Sequence, residues 1–435
     1  MAGTERFVIK GGKKLEGEIE VRGAKNAAFA VLAATLLTTE ECEIDNVPLI
    51  GDVYVMLDIL KSIGVEYKFV SGRKIKISSK RLSAQHIRHD LVEKIRASIL
   101  LAGALPARVK EFRMFKPGGC AIGARILDPH LEALAKVGIT VKQKGSYLTV
   151  SRKEAVPERR EVVLSEMSVT ATEGIILASV LRKGVTEVFC AALEPHVQDV
   201  CHALNKMGAR IFGIGTNTLT IQGVRKLRGV KHTIIPDPIE MGTFIALAAS
   251  TASHITIKNC VPEFMRFELL KFREAHVTVK VKNARMAEAG WGYAVADIEV
   301  FSSQLKAVKK AHNLPYPGLS ADILPMFAVL ATQAKGVTLI HDWMYEGRLK
   351  YIDELKRMGA DAFICDPHRA LITGPTPLEA KEITSFDLRA GAVLIIAALA
   401  AKGETTIQNA YQIDRGYERI EERLRKIGAR IQRVT

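Results

Sequence analysis

A chain of 435 residues is longer than one ordinary domain, and its makeup, 48% hydrophobic and 25% charged, is that of a water-soluble globular protein. The formal charge of +15 is dispersed in short clusters. With no dense basic tail, RNA-recognition aromatic motif or helix-turn-helix signature, it argues against a nucleic-acid binder and suits small polyanionic substrates.

The N-terminal MAGTERFVIKGGKK lacks the apolar segment of a secretion signal. EGEIEVRGAKNAA then passes from an alternating strand through a glycine turn into an apolar helix. Lys25 and Asn26 stand at that helix start, where exposed amides favour an anion and a lysine adds charge. The plainer reading, a solvated lysine beside a capping asparagine, fits the pair better when it is taken alone. The longest apolar runs, residues 27–37 and 390–401, are shorter than the roughly 20 residues of a membrane span and read as buried helices. The six cysteines, Cys42, Cys120, Cys190, Cys201, Cys260 and Cys365, show no CxxC spacing. That argues against a zinc site or disulfide framework and for a reducing cytoplasm.

One phrase returns along the chain: LKSIGVEY, LAKVGITV, LNKMGARI, LKRMGADA and LRKIGARI, with its glycine at Gly64, Gly138, Gly208, Gly359 and Gly428. A degenerate copy, LKFREAHV, is expected to carry Glu274 at the glycine position. Each copy reads as a helix end: apolar residues on one face, a basic residue near the C-terminus, a left-handed glycine stop, then a strand. Ahead of several copies runs a β-rich stretch ending in a polar turn, as in ECEIDNVP, VTEVFCAALEP, HITIKNCVPE and TTIQNAYQIDRG. The near-even recurrence implies six βα-containing units, three to a domain. IIPDPIE, with two prolines, reads as a stiff extended crossing into the helix MGTFIALAAS. The chain therefore crosses between lobes near Arg22 and again near Pro236, leaving one lobe discontinuous.

Within KPGGCAIGAR, Gly118 and Gly119 imply a mobile, exposed backbone, and Lys116 and Arg125 would favour the Cys120 thiolate. Cys120 is then either a reactive thiol on a lid or the small buried hydrophobe most free cysteines are. Four arginines stand in apolar or glycine-bearing settings: Arg96, Arg125, Arg348 and Arg389. Arg389 opens a long apolar helix, so its guanidinium needs an acidic partner or a bound anion. Asp322, in YPGLSADILPMFAVLA, is either a general base or an ordinary helix cap.

Taken together, RGAKNAA, KIRASIL, KPGGCAIGAR, PDPIEMGTF, YPGLSAD, EGRLKYIDELKRMGA, DLRAGA and YQIDRGYERIEERL resemble the UDP-N-acetylglucosamine 1-carboxyvinyltransferase (enolpyruvyl transferase) family. The motifs occur in order over nearly the whole chain. The resemblance implies an α/β fold, a two-lobed inside-out α/β barrel of six repeated βαβ-type units. One lobe would comprise residues 1–22 and 236–435, and the other residues 23–235 with the Cys120 lid. It also implies transfer of enolpyruvate from phosphoenolpyruvate to the sugar 3-hydroxyl, releasing phosphate, at the first committed step of peptidoglycan precursor synthesis. No metal or organic cofactor, nucleic acid or membrane partner is implied.

Carried over by position, the resemblance makes Cys120 the acid that protonates the phosphoenolpyruvate methylene, able to form an adduct and to be alkylated by fosfomycin. Lys25, Arg125 and Arg389 would hold phosphate and carboxylate, with Arg348 assisting, and Asp322 would orient or deprotonate the acceptor hydroxyl. Asn26, Arg96, Arg125, Ile126, Leu127, Asp128, Pro129, Ser168, Val169, Thr170 and Met344 would contact the nucleotide sugar. Departures gather on the acceptor side: Glu166 for a lysine, His196 for a glutamate, Ser320-Ala321 for Pro-Thr, and Gly347 for an asparagine. They leave open a different nucleotide or nucleotide-sugar acceptor, or a non-catalytic nucleotide-sugar-binding paralogue.

Overall fold

The recurring phrase ends five of its six helices with the same pair of bonds. In the first, the helix Gly51–Ser62 stops as Gly64 (φ 84°) donates to the Lys61 carbonyl while Val65 donates to that of Leu60, both at 3.1 Å. These two bonds satisfy carbonyls that a helix end otherwise leaves open. The same pair of bonds closes the helices before Gly208, Gly359 and Gly428. In the degenerate copy they belong to His276 and Val277, which donate to Arg273 and Phe272 at 2.9 Å. His276, with φ 61°, therefore occupies the glycine place, and Glu274 is the last residue of the helix Arg266–Glu274. The expected alignment of that copy was two residues out, because leucine spacing was followed where the helix end had shifted.

Each of the first five phrases leads into a hairpin whose second strand inserts beside the strand that preceded the helix. Val185–Phe189, for example, is followed by the helix Pro195–Lys206, then Arg210–Phe212 and Thr218–Gln222. Thr218–Gln222 pairs antiparallel with both other strands, and Arg159–Val163 lies parallel to Val185–Phe189 on the far side. This order recurs in five four-stranded sheets, and a sixth sheet has three strands among the described residues. In the final unit the N-terminal strand Arg6–Lys10 fills the inserted position, between Glu404–Gln408 and Arg430–Val434. The polar turns after the first strands are left-handed residues: Asn46, Cys190, Asn259 and Asn409 all have φ near 60°. Asparagine tolerates that region better than other non-glycine residues.

This computed structural model describes residues 5–119, 127–287, 289–290 and 292–435. They form two compact units, residues 5–22 with 236–435 and residues 23–119 with 127–235. In the first, the helices Pro238–Ser250, Leu324–Gln333 and Leu388–Ala400 all touch one another. They carry no polar face, so only enclosure on every side removes them from water. Three sheets and amphipathic helices such as Lys350–Arg357 enclose them. The second unit repeats the plan with Lys25–Ala34, Leu100–Ala104 and Val169–Ser179 inside. Each unit is thus an inside-out α/β arrangement, with helices rather than strands at its centre. Among the described residues no helix is long and apolar enough to cross a membrane.

Candidate active site

In the unit of residues 236–435, two buried helices begin at opposite partners of one ion cluster. Asp322 lies just ahead of Leu324–Gln333, and Arg389 is the second residue of Leu388–Ala400. Arg389 Nε donates to Asp322 Oδ2 at 3.1 Å, and Arg348 Nη2 donates to Oδ1 at 2.6 Å. Burial alone would raise the Asp322 pKa, but Arg389 and then Arg348 outweigh it and hold the carboxyl well below its ordinary range. Both guanidiniums are held firmly protonated: burial opposes their charge and Asp322 more than restores it. Arg389 is 3% exposed, and its Nη1 has no partner among the described residues. A buried N–H left free beside this pairing is suited to an incoming oxyanion.

The cluster is braced from several elements. Asp387 caps the Leu388–Ala400 helix, its Oδ1 accepting the Arg389 and Ala390 amides at 2.7 and 3.0 Å. The Tyr417 ring centre lies 5.5 Å from the Arg389 guanidinium carbon, and its hydroxyl meets Thr243 Oγ1 at 2.9 Å. Asp237 caps Pro238–Ser250 through the Ile239 amide at 2.8 Å, and burial, opposed by Arg389, pushes its pKa up to about 6. Ser320 Oγ accepts the Asp322 amide at 3.3 Å, while the Ser320 amide donates to Glu268 at 3.0 Å. Burial pushes Glu268 up to about 7. The Ser320-Ala321 departure therefore still supports Asp322 locally. Met344, 36% exposed, rides on a turn whose Tyr345 amide donates to Asp342 Oδ1 at 3.1 Å.

In the other unit Lys25 is not the solvated lysine of the plainer reading. It is 8% exposed, and its Nζ donates to Asp52 Oδ2 at 2.6 Å. Asn26 follows it in the first helical turn and is half-buried. Arg96 opens the short 3₁₀ turn Arg96–Ile99. Gly118 and Gly119 are exposed but closely packed: a Cβ on Gly118 would lie 1.7 Å from the Glu93 carbonyl oxygen. One on Gly119 (φ 122°) would lie 3.2 Å from Arg96. The two glycines thus permit a close backbone approach. Cys120, Arg125 and Ile126 lie outside the described residues.

Leu127, Asp128 and Pro129 lead into the helix Asp128–Lys136, and Ser168, Val169 and Thr170 into Val169–Ser179. A 2.5 Å hydrogen bond between His130 Nε2 and Thr170 Oγ1 joins these helix starts, so two segments far apart in sequence become neighbours. Glu166 is exposed, its carbonyl accepting the Ser168 amide at 2.7 Å, and His196 sits in the first turn of Pro195–Lys206. The sequence reading did not single out Asp52, Asp237, Asp387, Tyr417 or Glu268. Asp387 and Asp237 had a signal, since an aspartate directly ahead of an apolar helix is a helix cap, and Pro238 after Asp237 strengthens it; the others are contacts made only by the fold.

A family model described as EPSP synthase (3-phosphoshikimate 1-carboxyvinyltransferase) matches residues 9–424. The UDP-N-acetylglucosamine 1-carboxyvinyltransferase of Treponema denticola is 40% identical over 434 residues, 98% of each chain. The UDP-N-acetylglucosamine 1-carboxyvinyltransferase 1 of Symbiobacterium thermophilum is 41% identical over 438 residues, 99% of this chain and 96% of that one. Among solved structures, the enolpyruvyl transferase NikO from Streptomyces tendae superposes with a TM-score of 0.87 at 24% identity, covering 100% of this chain and 99% of that one. EPSP synthase from Acinetobacter baumannii gives 0.77 at 20% identity, covering 99% and 100%. At those identities the two structures speak to the fold alone.

Proposed function

This chain belongs to the UDP-N-acetylglucosamine 1-carboxyvinyltransferase family, and on that premise we propose that it transfers the enolpyruvyl group of phosphoenolpyruvate to the 3-hydroxyl of UDP-N-acetylglucosamine, releasing phosphate. In this reading the enzyme is a cytoplasmic transferase that commits the sugar nucleotide to peptidoglycan, and so serves cell-wall growth, shape and division.

The observation that carries the reading is the pairing of Arg348 and Arg389 with Asp322. Such a cluster suits chemistry in which an anion is bound and a hydroxyl is deprotonated beside it. Arg389 and Arg348, with Lys25 and Arg125, hold the phosphate and carboxylate of phosphoenolpyruvate. Cys120 gives a proton to the methylene carbon C3, and C2 becomes electron-poor. The sugar 3-oxygen bonds to C2 as its proton passes to Asp322. Loss of a C3 proton and cleavage of the bond from C2 to the phosphate oxygen then restore the vinyl group.

The pairing also explains how Asp322 acquires basicity. Held by two arginines it is a weak base, because its pKa is far below that of any alcohol. A phosphate that draws those guanidiniums toward itself weakens the hold and makes the carboxylate more basic. Asn26, Arg96, the 126–129 segment, the 168–170 turn and Met344 contact the nucleotide sugar.

Phosphate release from phosphoenolpyruvate by the purified protein tests the reading. It should require UDP-N-acetylglucosamine, fall steeply in Cys120→Ala and stop after fosfomycin, with one fosfomycin mass added at Cys120. Full turnover in Cys120→Ala, or no adduct at Cys120 on prolonged exposure, would overturn the assignment of the thiol.

A further inference from the structure

A cavity of about 470 Å³ opens within the unit of residues 23–235 and shares no residue with the candidate active site. It lies between the start of the strand Ile139–Lys144, the end of the helix Val169–Ser179 and the loop after Tyr147–Arg152. Ile139, Ala178 and Leu181 give it an apolar lining, and Arg152 and Arg182 give it charge.

Among the described residues, the hydrogen bonds of Arg152, Arg182 and the nearby Arg160 go to uncharged oxygens. Arg182 donates to the carbonyls of Lys153 and Gly138 at 2.9 and 3.0 Å, and Arg152 to that of Ala107 at 3.5 Å. Arg160, 4% exposed, donates to Thr186 Oγ1 at 2.9 Å and to the carbonyls of Pro157 and Lys183 at 2.6 and 3.0 Å. Its Nη2 has no partner among the described residues. Of the two acids in the lining, Glu158 pairs with Lys183, itself a lining residue, at 2.5 Å, and Glu154 pairs with Lys110 at 2.7 Å while also feeling the charge of Arg152. Burial, then the nearby charges of Arg152 and Arg160, lower the Arg182 pKa. The three guanidiniums repel one another, and their described hydrogen bonds all go to uncharged oxygens, so a bound anion would relieve the repulsion.

We propose that this cavity binds an organic anion, a carboxylate or phosphate on an apolar body, with Arg152 and Arg182 gripping the charged group. Its volume falls within the ordinary range for small-molecule sites. Glu154 and Glu158 at the same lining discriminate against ligands carrying several charges.

The test is calorimetric titration of the full chain with phenyl phosphate, benzoate and inorganic phosphate in parallel. Phenyl phosphate or benzoate should bind, and whichever binds tighter identifies the preferred head group. Binding should weaken at least tenfold in Arg152→Gln and vanish in Ala155→Trp, where an indole on an exposed lining residue fills the space. It should persist in Arg389→Met, which separates this cavity from the active site. Silence with both organic probes, tighter binding of inorganic phosphate than of either, indifference to both cavity variants, or loss in Arg389→Met would each overturn the proposal.

Discussion

Arg389 reaches from the start of one buried helix to Asp322, ahead of another, and joins them through a 3.1 Å bond from Nε to Oδ2. With Arg348 on the second oxygen, the carboxylate is satisfied while Arg389 Nη1 is not. The geometry therefore ties fold stability and anion binding to one side chain.

Asp322→Asn should expose that coupling. Two buried guanidiniums lose their counter-charge, and breaking a buried pair from one side costs about 3–5 kcal/mol. Thermal melts should show a lower midpoint for the variant. Millimolar inorganic phosphate should raise that midpoint more than it raises the wild-type one, because the anion replaces the missing carboxylate. Equal phosphate shifts in the two proteins would mean that the arginines are not poised for an anion.

Glu268 and Asp237 make stability depend on pH in a defined direction. Their folded pKa values, about 7 and about 6, lie above the ordinary carboxylate range, so the folded state binds the extra protons. Stability from these groups is greatest in acid and declines as pH rises through the folded values. Glu268→Gln keeps an acceptor for the Ser320 amide and removes the charge. It should be about 1–3 kcal/mol more stable than wild type at pH 8, with the gain shrinking toward pH 5, in urea titrations. Asp322 works the other way: its pairing stabilises above the ordinary carboxylate pKa and is lost only in stronger acid.

Much of this architecture was legible in the sequence because the repeat is a local signal. Gly64, Gly208, Gly359 and Gly428 stop helices for reasons contained in a few residues, and AGAVLIIAALA announces burial by lacking a polar face. The degenerate copy was misplaced because His276 hides the stop inside an ordinary residue type. The Asp322–Arg389 bond was legible only as a need, since Arg389 required an anion and nothing in the sequence said which. Asp52 beside Lys25 was not legible at all, because the pairing depends on how two helices pack.

His276→Gly should stabilise the protein. A non-glycine residue held left-handed costs about 1–2 kcal/mol, partly offset by the unfolded-state freedom of glycine. His276 is exposed, so its side chain is not needed for the core. A gain of about 0.5–1 kcal/mol in urea titration is expected, and a loss would show that the imidazole has another role.

Gly118→Ala should damage turnover more than folding. Its Cβ would fall 1.7 Å from the Glu93 oxygen, so the chain leading to Cys120 must move away. We expect kcat/KM for phosphoenolpyruvate to fall at least about tenfold, since small misplacements of a reacting group are costly. The melting midpoint should change little, because residues 118 and 119 are exposed. Unaltered kinetics would show that the close approach is not needed for catalysis.

The most direct measurement is the mass of the product formed from phosphoenolpyruvate and a panel of acceptors: UDP-N-acetylglucosamine, free N-acetylglucosamine, other nucleotide sugars and nucleoside monophosphates. The account predicts one new species, UDP-N-acetylglucosamine plus an enolpyruvyl group, formed in step with phosphate release. A product on a different acceptor alone, or no product with any of them, would contradict it.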